Sequence, residues 1–113
     1  MNTETRLMTY LLVAAFGLLA LLAAGGTAEA VNSQDGEAEF KEFCSACHAD
    51  GGNIINPAKT LSKADREKNG VKTVKDIITI IRKPGEGMIK FDEQTLPEKE
   101  AQKIADYIVY SFK

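Results

Sequence analysis

Two thiols and one imidazole stand together in this chain, in the run Cys44-Ser45-Ala46-Cys47-His48, and they are its only cysteines and its only histidine. Cysteines three apart on a helical turn share a face. Both sulfurs can then add to the two vinyl groups along one edge of a haem, and the histidine beside the second cysteine turns its imidazole to the iron. The spacing points to one covalent haem c, held through Cys44 and Cys47 and ligated by His48. The rival chemistries lack parts. A structural zinc site needs four ligands, and a dithiol redox motif needs a βαβ neighbourhood. A disulfide across so short a spacing is open to a chain in an oxidising compartment, but it gives His48 nothing to do.

A haem iron held by one histidine has a second axial position. Met88 is the one methionine beyond residue 30, and it follows Gly85-Glu86-Gly87. A methionine in a small domain commonly fills a gap in the core. Glycines beside it let the backbone come close to another group, and a loop between two helices suits delivery of a side chain to the open haem face. Met88 is therefore the candidate for the second axial ligand, since His/Met pairs are an established haem arrangement.

These residues must be positioned by helices. After a lead-in at 31–34, Gly36, Phe40, Phe43, Cys44 and Cys47 recur at intervals of three and four, predicting one helix that carries the cysteines. The stretch 49–60 has Gly51-Gly52 and Asn56-Pro57 and no apolar period, and reads as a loop. Ser62 with Asp65 predicts a capped short helix over 63–69, stopped by Asn69-Gly70. Thr73 with Asp76 caps a helix whose apolar stripe is Val74, Ile77, Ile78 and Ile81, ended by Pro84-Gly85. Its β-branched content also permits a strand. Pro97 opens a final helix with Ala101, Ile104, Ala105, Ile108 and Phe112 on one face, expected to pack across the first.

At 113 residues with a net charge of −2, the chain has no basic stripe, which sets aside nucleic acid as a partner. Residues 1–30 form a separate unit: a polar start with Arg6, an apolar run from Leu7 to Ala24, and Ala28-Glu29-Ala30. This is the pattern of a cleavable signal peptide with a small-residue site, which leaves 31–113 as one exported domain. The apolar run is also close to the shortest that spans a bilayer, so a retained anchor is the alternative. A domain that small builds only a marginal core, and a covalent cofactor adds a centre of burial.

Taken together, Cys44 to His48, Gly51-Gly52-Asn53, the run from Asn56 to Leu61 and Met88 resemble cytochrome c6, a class I single-haem c-type cytochrome. The resemblance spans 31–113. It implies an all-α fold of about four helices wrapped around one covalent haem c, with Gly36 and Phe40 crossed by Ile104 and Tyr107. It also implies a backbone carbonyl near Pro57 accepting from the second imidazole nitrogen of His48. The family often has a proline after its methionine ligand, where this chain has Ile89. There is similarity as well to single-haem outer-membrane cytochromes of metal-respiring bacteria, although the lipid-anchored ones carry a cysteine just after the leader and this chain has none.

With both axial positions filled, the iron can only exchange electrons. The expectation is a periplasmic, or thylakoid-lumen-like, single-electron carrier with no small-molecule substrate. It would be monomeric once the leader is removed and would meet redox proteins in short-lived encounters. Ile54, Ile55, Ile77, Ile81 and Phe91 are expected to wrap the haem, and Lys59, Lys63, Lys68, Lys72, Lys75, Lys83 and Lys90 to form a solvated face that mildly steers docking. The alternative is a haem peroxidase or gas sensor, in which Met88 only packs and the sixth site stays open.

Overall fold

The computed structural model describes residues 33–113, so the expected signal peptide at 1–30 lies outside the described residues. Five α-helices follow in order: α1 Ser33–Phe43, α2 Ser45–His48, α3 Lys63–Lys68, α4 Val74–Arg82 and α5 Glu98–Ser111, with a 3₁₀ turn at Ala49–Gly51 after α2. No strand occurs among the described residues, and no helix among them is long and apolar enough to cross a membrane. The all-α class expected from the sequence is what the structure has.

The helix starts are chemical. Ser62 Oγ accepts from the Asp65 amide at 3.3 Å and opens α3. At α4 the box is reciprocal: Thr73 Oγ1 accepts from the Asp76 amide at 3.1 Å while the Asp76 carboxylate accepts from the Thr73 amide at 2.8 Å. The Thr73 backbone and side chain, helped by the Lys72 amide, hold the Asp76 carboxyl below the usual carboxylate range. That cap commits the β-branched run to a helix rather than a strand. Before α5, the Pro97 carbonyl accepts from Glu100 and Ala101, both at 3.0 Å. Gly70, at φ +79°, ends the turn after α3.

One expectation is corrected. The predicted single helix through Cys47 is two: α1 begins at Ser33 inside the supposed lead-in and ends at Phe43, and Cys44 (φ −120°, ψ −31°) breaks from helical geometry before α2. The Ser45 hydroxyl donates back to the Lys41 carbonyl at 2.6 Å, a side-chain bond that competes with the helical ladder at the break.

The core lies where α1 and α4 meet α5. Phe40, Ile77, Ile81, Leu96, Ala101, Ile104, Ala105 and Ile108 are buried, and Leu96 and Ile104 are the largest side chains to be buried completely. Gly36 makes the α1–α5 crossing close, since a Cβ there would lie 2.3 Å from the Lys103 carbonyl oxygen and 2.8 Å from Tyr107 Cβ. Phe40 stacks beside Tyr107 and Phe112, with ring centroids 5.3 and 5.5 Å away. The expected crossing of Gly36 and Phe40 by Ile104 and Tyr107 is thus present.

Candidate functional site

Cys44 and Cys47 flank a single helical turn, closed by the Cys47 and His48 amides donating to the Cys44 carbonyl at 3.2 and 2.9 Å. Both thiols are free and half-buried. Burial pushes the Cys44 thiol up to about 11 from its ordinary 9.0, because its surroundings disfavour the thiolate. Packing against the apolar core in this way suits a neutral thioether.

His48 ends α2 and is oriented by the turn after it. Asp50 (φ 52°) and Gly51 (φ 77°) adopt left-handed geometry in succession, which reverses the chain within two residues. The reversal returns the Gly52 carbonyl to the imidazole, and Nδ1–H donates to it at 2.7 Å. Nδ1 is therefore committed to the carbonyl, which leaves Nε2 as the nitrogen through which a neutral imidazole binds a metal. The acceptor is Gly52 rather than a carbonyl near Pro57. The Asn56 region is engaged otherwise: Asn53 Oδ1 accepts from the Ile55 and Asn56 amides at 3.0 and 2.9 Å, and Asn53 Nδ2 donates to the Lys59 carbonyl at 2.9 Å.

That asparagine scaffold builds the 53–59 loop, which local spacing shows only as irregular chain. The Ile54 amide ties it to the Cys47 carbonyl at 3.1 Å, and the Leu61 amide ties its far end to the Gly51 carbonyl at 2.7 Å. Of the expected apolar wrapping, Ile77 and Ile81 belong to the core, because they face α5 from the inner side of α4. Phe91 is half-buried, edge-on to Phe43 at 6.0 Å. Ile54 and Ile55 stand in the open, at 67% and 60% exposure, as does Ile89 at 69%.

Met88 lies in the loop between α4 and α5, half-buried, and packs against the same core cluster as Cys44. The loop before it turns at Gly87 (φ +89°), whose Cα faces Ile55 so closely that a Cβ would lie 2.9 Å from Ile55 Cγ2. The loop after the cysteines and the loop of the methionine thus touch beside the exposed isoleucines.

These features fit a haem c. There are two free thiols on one turn, one in apolar surroundings, an imidazole with its outer nitrogen available, a thioether side chain packed on the same core cluster, and largely uncovered apolar side chains at Ile54, Ile55 and Ile89. No cluster of three or more histidines, cysteines or acids able to hold a bare metal ion occurs among the described residues. The seven lysines expected on the solvated face are all exposed, and Lys63 pairs with Glu67 at 2.6 Å. The sequence alone gives no role to Arg82, whose guanidinium reaches the main chain on both sides of the Met88 loop's far end.

Comparison with known proteins adds to this geometry. The family described as cytochrome c oxidase, cbb3-type, subunit III matches residues 31–108. The chain is 36% identical over 85 residues to a cytochrome c6 of Synechocystis sp., covering 75% of this chain and 70% of the relative. It is 30% identical over 99 residues to the cytochrome c6 of Cyanidium caldarium, covering 88% and 89%. Among solved structures, OmcF, the outer membrane cytochrome F from Geobacter sulfurreducens, is 46% identical with a TM-score of 0.67, covering 69% of this chain and 99% of that one. Cytochrome c6C from Synechococcus sp. PCC 7002 is 28% identical with a TM-score of 0.65, covering 69% and 94%.

Proposed function

The chain belongs to the cytochrome c6-like class I monohaem c-type cytochromes, and from that membership we propose that His48 and Met88 hold the iron of its haem from opposite sides. Membership makes it an electron-transfer protein with one covalent haem c. Cys44 and Cys47 are the residues that would carry the thioethers, His48 Nε2 the proximal nitrogen and Met88 Sδ the distal sulfur. Bound there, the haem supplies reversible one-electron chemistry between Fe(II) and Fe(III).

The observation that carries this reading is the placement of Met88, half-buried against the core that Cys44 also touches, on a loop pressed through Gly87 against Ile55. The protein's own work is positional. The Gly52 carbonyl fixes the tautomer and aim of His48 and raises its basicity as a donor. As the second ligand, Met88 would supply a soft thioether that favours the reduced metal and would leave no position on the iron for water or another ligand. We further propose that residues 1–30 are a signal peptide, that the mature carrier works in the periplasm or an equivalent exported compartment, and that it serves redox proteins through brief, small-area docking.

The test is spectroscopic. The oxidised holoprotein is expected to show the weak sulfur-to-iron charge-transfer band, and the reduced protein to resist carbon monoxide. Met88→Ala should abolish the band, lower the reduction potential and admit carbon monoxide. A band that survives in Met88→Ala removes Met88 from the iron. Ready carbon monoxide binding by the unmutated protein supports the open-site alternative.

A further inference from the structure

We infer that Arg82 is a positioning residue for Met88: its guanidinium clamps the far end of the Met88 loop to the end of α4 and so keeps the sulfur on the iron. This rests on the axial role proposed for Met88. Arg82 is the last residue of α4, and its side chain is 17% exposed. Nη1 donates to the Phe91 carbonyl at 3.1 Å and to the Leu96 carbonyl at 2.8 Å, while Nη2 donates to Glu98 Oε2 at 3.0 Å. Beside it the Phe91 amide donates to the Ile81 carbonyl at 3.1 Å. The end of α4 is thus bonded to Phe91 twice, once by main chain and once by side chain, and Met88 lies inside the loop those bonds close.

The interior of that loop has little else to hold it. The Met88 amide reaches the Gly85 carbonyl only at 3.5 Å, and Gly85, Glu86, Gly87, Ile89 and Lys90 are exposed. Segments with few buried contacts and solvent-facing backbone open at low free energy. The acceptors of the clamp, by contrast, are anchored. Leu96 is completely buried, and Phe91 packs edge-on to Phe43. Arg82 therefore adds a tie to the core at the end of a loop most of whose residues are exposed.

The residue type matters. A planar guanidinium presents several donors in fixed directions and meets two carbonyls and a carboxylate at once. A lysine at this position has one nitrogen and can keep only part of the set. The carboxylate of Glu98 is 61% exposed, so its share in the clamp is small beside that of the two main-chain carbonyls.

The experiment uses the holoprotein with Arg82→Met, Arg82→Lys, Glu98→Gln and Met88→Ala. The sulfur-to-iron band and the helical circular dichroism are followed separately against temperature, and carbon monoxide binding to the reduced protein is timed. In Arg82→Met the band should disappear well below the helical melt, and carbon monoxide should bind about tenfold or more faster, the change in open-loop population expected from losing a charged hydrogen bond. Arg82→Lys should fall between that and the unmutated protein, and Glu98→Gln should stay near it. If Arg82→Met does not yield folded holoprotein, the Arg82→Lys shift decides. Loss of band and helix together, or carbon monoxide kinetics unchanged in both Arg82 variants, overturns the clamp. A band retained in Met88→Ala overturns the ligation reading instead, so the two failures are told apart.

Discussion

Gly51 is held where backbone geometry and packing both refuse a side chain. Its φ is +77°, and a Cβ would sit 2.5 Å from Phe112 Cδ1. Its carbonyl accepts from Leu61, and the next residue supplies the acceptor for His48. Gly51→Ala should therefore cost about 2–5 kcal/mol, the sum of left-handed strain and overpacking, and should loosen the His48 Nδ1–H bond. Denaturant unfolding of the holoprotein measures the first effect and the imidazole proton resonance the second. A loss under about 0.5 kcal/mol, the ordinary range for a harmless surface change, would mean that the Phe112 contact does not constrain this turn. The cysteines and His48 were legible because their chemistry is written in adjacent residues. The partner of Nδ1 was not, because it depends on two successive left-handed residues, one of them Asp50, that no local spacing announces.

Among the elements, the capped ones could be read and the broken one could not. Ser62 and Thr73 satisfy amides three residues on, a strictly local bond, and both helices start where those residues put them. The break at Cys44 is invisible to periodicity, since Phe40, Phe43, Cys44 and Cys47 stay in phase across it. The crossing of α1 and α5 gives a sharper test. Gly to Ala within a helix ordinarily stabilises by about 1 kcal/mol through propensity. At Gly36 the sign should reverse, because the new methyl would meet the Lys103 carbonyl oxygen at 2.3 Å, and backbone cannot move aside without parting the helices. Gly36→Ala is expected to destabilise the holoprotein by up to about 2 kcal/mol net, the overpacking cost less the gain in propensity, read from its denaturation midpoint. Equal or higher stability would show that the crossing relaxes freely. Arg82 left no mark in the sequence for a related reason: its acceptors are main-chain carbonyls, which every residue has, brought to it by the path of the chain from Phe91 to Leu96.

For the whole molecule, the class of fold followed from the pattern of apolar spacing, yet the distribution of burial did not. The buried apolar set draws one residue from α1, two from α4, four from α5, and Leu96, while α3 contributes only the buried Arg66. Arg66 is held there by its Nε donating to the Leu61 carbonyl at 2.9 Å. Ile54, Ile55 and Ile89, by contrast, leave most of their apolar surface uncovered. Fully covering one such side chain is worth about 1.5–3 kcal/mol, so three of them amount to a large share of the roughly 5–15 kcal/mol that holds a domain folded. In the proposed holoprotein the haem would supply that cover, and His48 and Met88 would tie α2 and the Met88 loop to it. A chain with Cys44→Ser and Cys47→Ser, made without attached haem, should then lose its cooperative thermal transition or melt tens of degrees lower, since about 1 kcal/mol already shifts a domain of this size by 4–8 °C. Circular dichroism against temperature decides it. A sharp transition at the holoprotein's temperature would place the folding free energy wholly in the α1–α4–α5 core and leave the exposed isoleucines without a structural role.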